Sequence, residues 1–211
     1  MDFQLKKTAK DYPGFFSIAE NAIKTAYKTA WVQMPPDMQR DRLCGQRLGY
    51  YVLANVDHEL RRAFENANFD GVTISDKANS NGSNYHLEIR TPHAVFMAAK
   101  VLRQESVPRK TSYRQQYLDQ IFMPAIFPEY KPFTEDCVPL YIITHVMFRG
   151  KNEPSFINVG RIEADQKRWA CRYPIGEIHK GQSLEEIVEK RSVPAFQENI
   201  AINPDRIKIK Q

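Results

Sequence analysis

The sequence predicts an α+β fold: an N-terminal helical pair packed on a mostly antiparallel β-sheet, with one or two further helices. Three observations predict it. Apolar residues recur at helical period from Ile18 to Ala67, and the pattern changes at Phe69 to short β-branched and aromatic runs. Further runs of that kind then crowd together between Leu140 and Tyr173. Helices first and strands afterwards is the order of an α+β domain. No stretch is long or polar enough to serve as a linker. Residues 1–211 therefore read as a single domain, helical over about 15–68 and sheet-rich over about 69–211.

The elements follow in order. Pro13-Gly14 separates an N-terminal tail from the first helix, where Ser17 and Glu20 have capping-box spacing. Ile18, Ala22, Ala26 and Ala30 form its apolar stripe, with Ile23, Tyr27 and Trp31 beside them. Pro35-Pro36 ends it, Asp37 can cap the next helix, and Leu48, Val52, Val56, Leu60, Ala63 and Ala67 carry that helix's apolar face. The connection is short, which predicts an antiparallel pair.

Residues 69–75 and 85–91 read as strands separated by a Ser/Asn/Gly loop at 78–84. In the second strand Tyr85, Leu87 and Ile89 point one way and His86, Glu88 and Arg90 the other. Residues 94–102 read as a returning strand, although Thr91-Pro92 can also open a helix. A third helix starts at Thr111 or Ser112, presents Tyr113, Tyr117 and Ile121 on one side, and stops at Pro124. Residues 122–139 interleave prolines with Phe127, Tyr130 and Phe133 as a stiff connection. An antiparallel meander follows, made of 140–148, a Gly150-Lys151-Asn152 turn, 156–162 and 168–173. Ser183 and Glu186 then suggest a short helix ending near Arg191, and residues 206–210 (RIKIK) an edge strand blunted by lysines.

Composition narrows the function. With 42% hydrophobic and 26% charged residues, the 211-residue chain is neither disordered nor fibrous. No apolar run approaches the roughly 20 residues that span a bilayer, and residues 1–20 lack a secretory core. Cys44, Cys137 and Cys171 are far apart and form no CxxC pair, which argues against a disulfide framework or zinc site. A cytoplasmic, reduced protein is expected. Nine glycines include no phosphate-cradling loop, so dehydrogenase and P-loop readings find no support. Thirty Lys and Arg against 25 Asp and Glu give a net charge of +5, a surplus that attracts polyanions.

That surplus concentrates around Pro108. Lys100, Arg103, Arg109, Lys110 and Arg114, interleaved with Tyr113 and Tyr117, face a single acid, Glu105. Arginine forks bind phosphates in pairs of hydrogen bonds and tyrosine rings can stack on bases. These residues are the expected nucleic-acid contacts, for duplex DNA or RNA, together with lysines of the first helix. A solvated loop followed by a helix with inward tyrosines is the plainer alternative.

A second constellation is Asp70 with Glu88 and Arg90, and Glu59 nearby on the second helix. It resembles the PD-(D/E)XK nuclease pattern, in which two carboxylates hold Mg²⁺ beside a scissile phosphate and the metal acidifies its bound water. The departures are an arginine where the pattern has lysine, which does not deprotonate, and no proline before Asp70. The alternative reading makes His86, Glu88 and Arg90 the solvated face of an amphipathic strand. His86, His93 and His145 lack metal-ligand spacing, and His145 reads as a hydrogen-bonded core residue or a sheet-surface residue.

The expected function is a small basic nucleic-acid-binding accessory or regulatory protein. No cofactor is implied, with Mg²⁺ needed only by the alternative nuclease built on Asp70, Glu88 and Arg90. A non-catalytic module that docks on a protein partner through the 122–139 aromatics is the third possibility.

Overall fold

The computed structural model describes residues 2–35, 44–78, 85–126, 138–147 and 152–179. The stretch expected as an N-terminal tail is helical. Asp2 accepts a hydrogen bond from the Gln4 backbone N–H at 3.2 Å and caps α1 (Phe3–Asp11), which buries Leu5 and Thr8. Asp2 also lies 3.0 Å from Arg161 Nε, holding α1 against the sheet. Only the tertiary contact makes so short a helix persist.

Gly14 sits at φ 88°, a left-handed conformation that glycine adopts without steric cost, and turns the chain into α2 (Phe15–Gln33). The helix thus starts two residues before Ser17, and Glu20 pairs with Lys24 at 2.7 Å. Its buried face includes Phe15, Ala19, Ala22, Ile23, Ala26, Tyr27 and Ala30. In α3 (Cys44–Ala67), Val52, Val56, Leu60 and Phe64 are buried at four-residue spacing. The helices are antiparallel, as expected. The rings of Phe15 and Phe64 meet at 4.6 Å where α2 begins, and Asn55 donates to Gln33 at 3.1 Å where α2 ends.

The sheet contains β1 (Thr73–Ala78), β2 (Tyr85–Arg90), β3 (Val95–Lys100), β4 (Leu140–Met147), β5 (Pro154–Ile162) and β6 (Trp169–Pro174), lying side by side in chain order. β1 begins later than its sequence pattern because Phe69 instead packs its ring against Tyr12 and Phe64. β3 is the returning strand, antiparallel to β2. β3 and β4 run parallel, from Val95 opposite Leu140 to Lys100 opposite His145, and every other neighbouring pair is antiparallel. A parallel pair requires a crossover, supplied here by the 101–111 loop and α4 (Ser112–Ile126). α4 continues two residues beyond Pro124, because a proline in the closing turn removes one hydrogen bond without stopping the residues after it.

Alternation along the strands divides the apolar residues between two faces. Leu87, Ile89, Phe96, Tyr141, Ile143, Val159 and Tyr173 pack with α2, α3 and the short α5 (Ile175–His179). Val95, Met97, Leu140, Ile142 and Ile162 pack with Leu118 of α4. The sheet is therefore covered on both faces, with the helical pair on one and the crossover on the other. Gly160 permits a close approach of β5 to β6, since a Cβ there would overlap the Cys171 carbonyl oxygen. Among the described residues, no helix is long and apolar enough to cross a membrane.

Several expectations lie outside the described residues: the Asp37 cap, most of the 78–84 loop, Gly150-Lys151, the aromatics Phe127, Tyr130 and Phe133, the Ser183–Arg191 helix and the strand at 206–210.

Candidate nucleic-acid interface

Members of the two constellations separated in sequence, Tyr117 of one and Glu88 and Arg90 of the other, meet in space. α4 lies over the polar face of β2, so that His86, Glu88 and Arg90 are met by Tyr113 and Tyr117. The rings of His86 and Tyr113 stack with centroids 4.0 Å apart and planes 17° apart. His86 Nε2 lies 3.1 Å from Glu88 Oε1. The Tyr117 hydroxyl donates to Glu88 and accepts from Arg90. Glu88 is only 2% exposed, which corrects the reading of this strand face as solvated. Burial alone would raise the Glu88 pKa. The hydrogen bonds from His86 and Tyr117, aided by the charge of Lys77, outweigh it and hold the carboxyl below its usual value. Burial and the Glu88 carboxylate together push the Tyr117 phenol upward.

The cations divide into two groups. Arg103, Arg109 and Lys110 are exposed on the 101–111 loop. Arg114 is not: it is 5% exposed, donates through Nη1 to the Arg109 carbonyl at 2.7 Å, and places its guanidinium 5.2 Å from the Tyr113 ring centroid. Burial lowers its pKa, with Tyr113 opposing the shift. Arg114, expected among the nucleic-acid contacts, lies beneath the loop and braces it. Tyr113 and Tyr117 are likewise engaged in fastening α4 to the sheet. Lys100 is separated too. It ends β3 on the face shared with Phe96 and Ala98, lying over Gly49 of α3.

The loop is pinned along its length. Gln166, 3% exposed and held at φ 55° in the β5–β6 turn, accepts from the Thr111 backbone N–H and donates to the Thr111 carbonyl, each at 3.3 Å. It also donates to Gln115 at 2.8 Å. Trp169 Nε1 donates to the Glu105 carbonyl at 3.2 Å, Arg172 to the Gln104 carbonyl, and Pro108 is buried. Sequence reasoning missed Gln166 entirely. A lone glutamine in a turn carries no pattern, and its role depends on a loop 55 residues away.

The acids of the nuclease-like pattern have separate surroundings. Asp70 is exposed in the turn after α3, where its charge helps raise the Tyr12 pKa behind the larger effects of burial and Asp11. Glu59 pairs with Arg62 at 3.0 Å. Among the described residues, no group of three or more His, Cys, Asp or Glu side chains is arranged to hold a metal ion. His93 binds Asp11 at 2.8 Å, and His145 Nδ1 lies 2.8 Å from the Tyr27 hydroxyl. Asp57 on α3 went unnoticed in the sequence. Its pKa is pushed up to about 6 by burial first and by Asp76, with His86 and Arg61 opposing.

An α+β protein with a mixed six-stranded sheet and a pinned cationic crossover loop is the class these observations define. Compared with known protein families, curated proteins and solved structures, the chain matches none.

Proposed function

We propose that the protein binds nucleic acid through the 101–111 loop, with Arg103, Arg109 and Lys110 as its phosphate contacts. One observation carries the reading: these three cations are exposed, and among the described residues no carboxylate forms an ion pair with any of them. Elsewhere Lys24 is paired with Glu20 and Lys28 with Glu153. The anchoring by Gln166, Trp169 and Arg172 adds to the case. A loop ordered before binding loses little entropy when a phosphate backbone docks on it.

The reading favours contact with the backbone over readout of base identity. Tyr113 is stacked on His86 and Tyr117 is bound to Glu88, so neither ring is offered to a base. Binding of this kind is sequence-tolerant and falls steeply as salt rises. The test is fluorescence anisotropy with labelled duplex DNA and duplex RNA between about 50 and 200 mM salt. Arg109→Ala with Lys110→Ala should weaken binding equally across sequences. It should also make the slope of log affinity against log salt shallower by about 2, one unit for each lost contact. Affinity and slope left unchanged by the double substitution would remove this interface.

A further inference from the structure

β6 ends opposite Asn158, where Pro174 is its last paired residue. β5 runs on from Ile157 back to Pro154 with no strand on that side among the described residues. A cavity of about 310 Å³ opens at this step in the sheet, between α2, the start of α5 and the loop 101–111. Lys24, Gln104, Phe156, Asn158, Pro174 and Ile175 are among the residues that line it.

This wall holds a polar side chain with nothing to bond. Asn158 is 1% exposed, and neither its Oδ1 nor its Nδ2 has a hydrogen-bond partner among the described residues. Ile157 and Val159 belong to the core beneath the helical pair, so strand alternation turns Asn158 to the other face, together with Phe156. Gln104 is held over that face, its carbonyl accepting from Arg172. Thr144 stands directly opposite Asn158 on β4, fully buried, and its Oγ1 is unpartnered in the same way. A buried amide left unmatched destabilises a fold, and nearly all such groups in folded proteins have a partner. Two of them side by side, one in the wall of a cavity, mark a place where a ligand supplies what the chain does not.

The amide sets the chemistry of that ligand. Nδ2 donates and Oδ1 accepts, so its complement is a carbonyl beside an N–H, the edge of a cyclic amide. Phe156 and Pro174 offer flat apolar rings and Ile175 a branched apolar side chain, a wall suited to a mostly apolar body. Lys24 is already paired with Glu20 at 2.7 Å, so its charge does not call for an anion. The volume lies at the lower end of the range for ligand pockets, about 300–1,000 Å³, and suits a single ring. We propose that this cavity binds a small neutral lactam, a planar ring of the uracil or pyridone type, through paired hydrogen bonds to the Asn158 amide. The site uses neither Arg103, Arg109 nor Lys110, and it stands apart from the nucleic-acid reading.

The test is nuclear magnetic resonance of the intact ¹⁵N-labelled protein, with the Asn158 side-chain amide assigned by triple-resonance spectra. Two probes are titrated, uracil and 1,3-dimethyluracil, which share a ring and its carbonyls and differ in their N–H donors. Neither carries a phosphate, so the loop cations contribute nothing. Uracil should shift the Asn158 amide signal, and dimethyluracil should bind at least about tenfold more weakly for want of one buried hydrogen bond. Asn158→Leu, with its fold checked by circular dichroism, should lose uracil binding. An Asn158 signal unmoved by uracil at its solubility limit would overturn the proposal, leaving water as the only partner of the amide. Equal affinities for the two probes would overturn it as well, since the cavity would then accept any flat ring. So would uracil binding that survives in the folded leucine variant. The two-probe comparison decides the matter in the parent protein even where that variant does not fold.

Discussion

The His86 ring stacks on that of Tyr113 with centroids 4.0 Å apart, with 26 residues of chain between them. This stack seats the start of α4 on β2 and brings the acid-bearing strand under the basic crossover. The polar residues of β2 lie beneath α4, and the buried carboxylate of Glu88 depends on a tyrosine of that helix. The predictions below test that arrangement and its counterparts elsewhere in the fold.

Tyr117→Phe removes a donor to the buried Glu88 carboxylate, and the variant should lose about 1–3 kcal/mol of stability near neutral pH. Because the folded Glu88 pKa is lowered from 4.5, its contribution is present above that value and is lost as pH falls toward the folded one. The deficit of the variant should therefore shrink in acid. Urea denaturation at neutral and acidic pH measures both quantities, and a deficit independent of pH would assign Tyr117 a packing role alone.

Asp57→Asn should act in the opposite sense. A carboxyl whose pKa rises from 3.8 to about 6 on folding favours the folded state when protonated, and that advantage is lost as pH rises through the folded value. Asparagine mimics the protonated form at every pH. The variant should gain stability on the order of 1 kcal/mol above pH 6, with the gain fading as pH falls from the folded pKa toward the unfolded one. Thermal melts across this range check the sign.

Tyr27→Phe leaves His145 buried with neither ring nitrogen bonded among the described residues, at a cost of about 1–3 kcal/mol. Adding His145→Leu removes the stranded polar group and should restore most of the loss. Chemical denaturation of both single variants and the double variant gives the coupling. Strict additivity would show that the hydrogen bond carries no net stability.

Gln166→Ala severs the link between the β5–β6 turn and Thr111. Amide exchange over 101–111 should accelerate while the core strands keep their protection. Nucleic-acid affinity should fall with its salt slope intact, because order is lost and no phosphate contact is. A changed slope would mean that the loop cations had moved out of reach.

Much of the sheet was legible in advance because its signals are local. The period-two pattern of residues 85–91 gave the two faces of β2, and the β-branched runs between 140 and 173 gave the meander. The site was legible only in part. Arg103, Arg109 and Lys110 are outward, as an extended segment around Val107-Pro108 suggests. The burial of Arg114 was not readable, since a single arginine in a helix carries no mark of its neighbours. The face bearing Glu88 looked solvated for the same reason: alternation tells which residues share a side, and is silent on what covers that side.

The sequence by itself determined the class of fold, the antiparallel helical pair, the existence of most strands and the concentration of positive charge near Pro108. Periodicity, proline positions and composition suffice for these, since each acts within a few residues along the chain. The tertiary structure alone decided that β3 and β4 run parallel, that α4 closes over β2, and that Lys100 and Arg114 leave the basic patch for opposite sides of the sheet. Those outcomes depend on the desolvation of particular charges and the pairing of surfaces far apart in the chain, and such free energies exist only once the layers have packed.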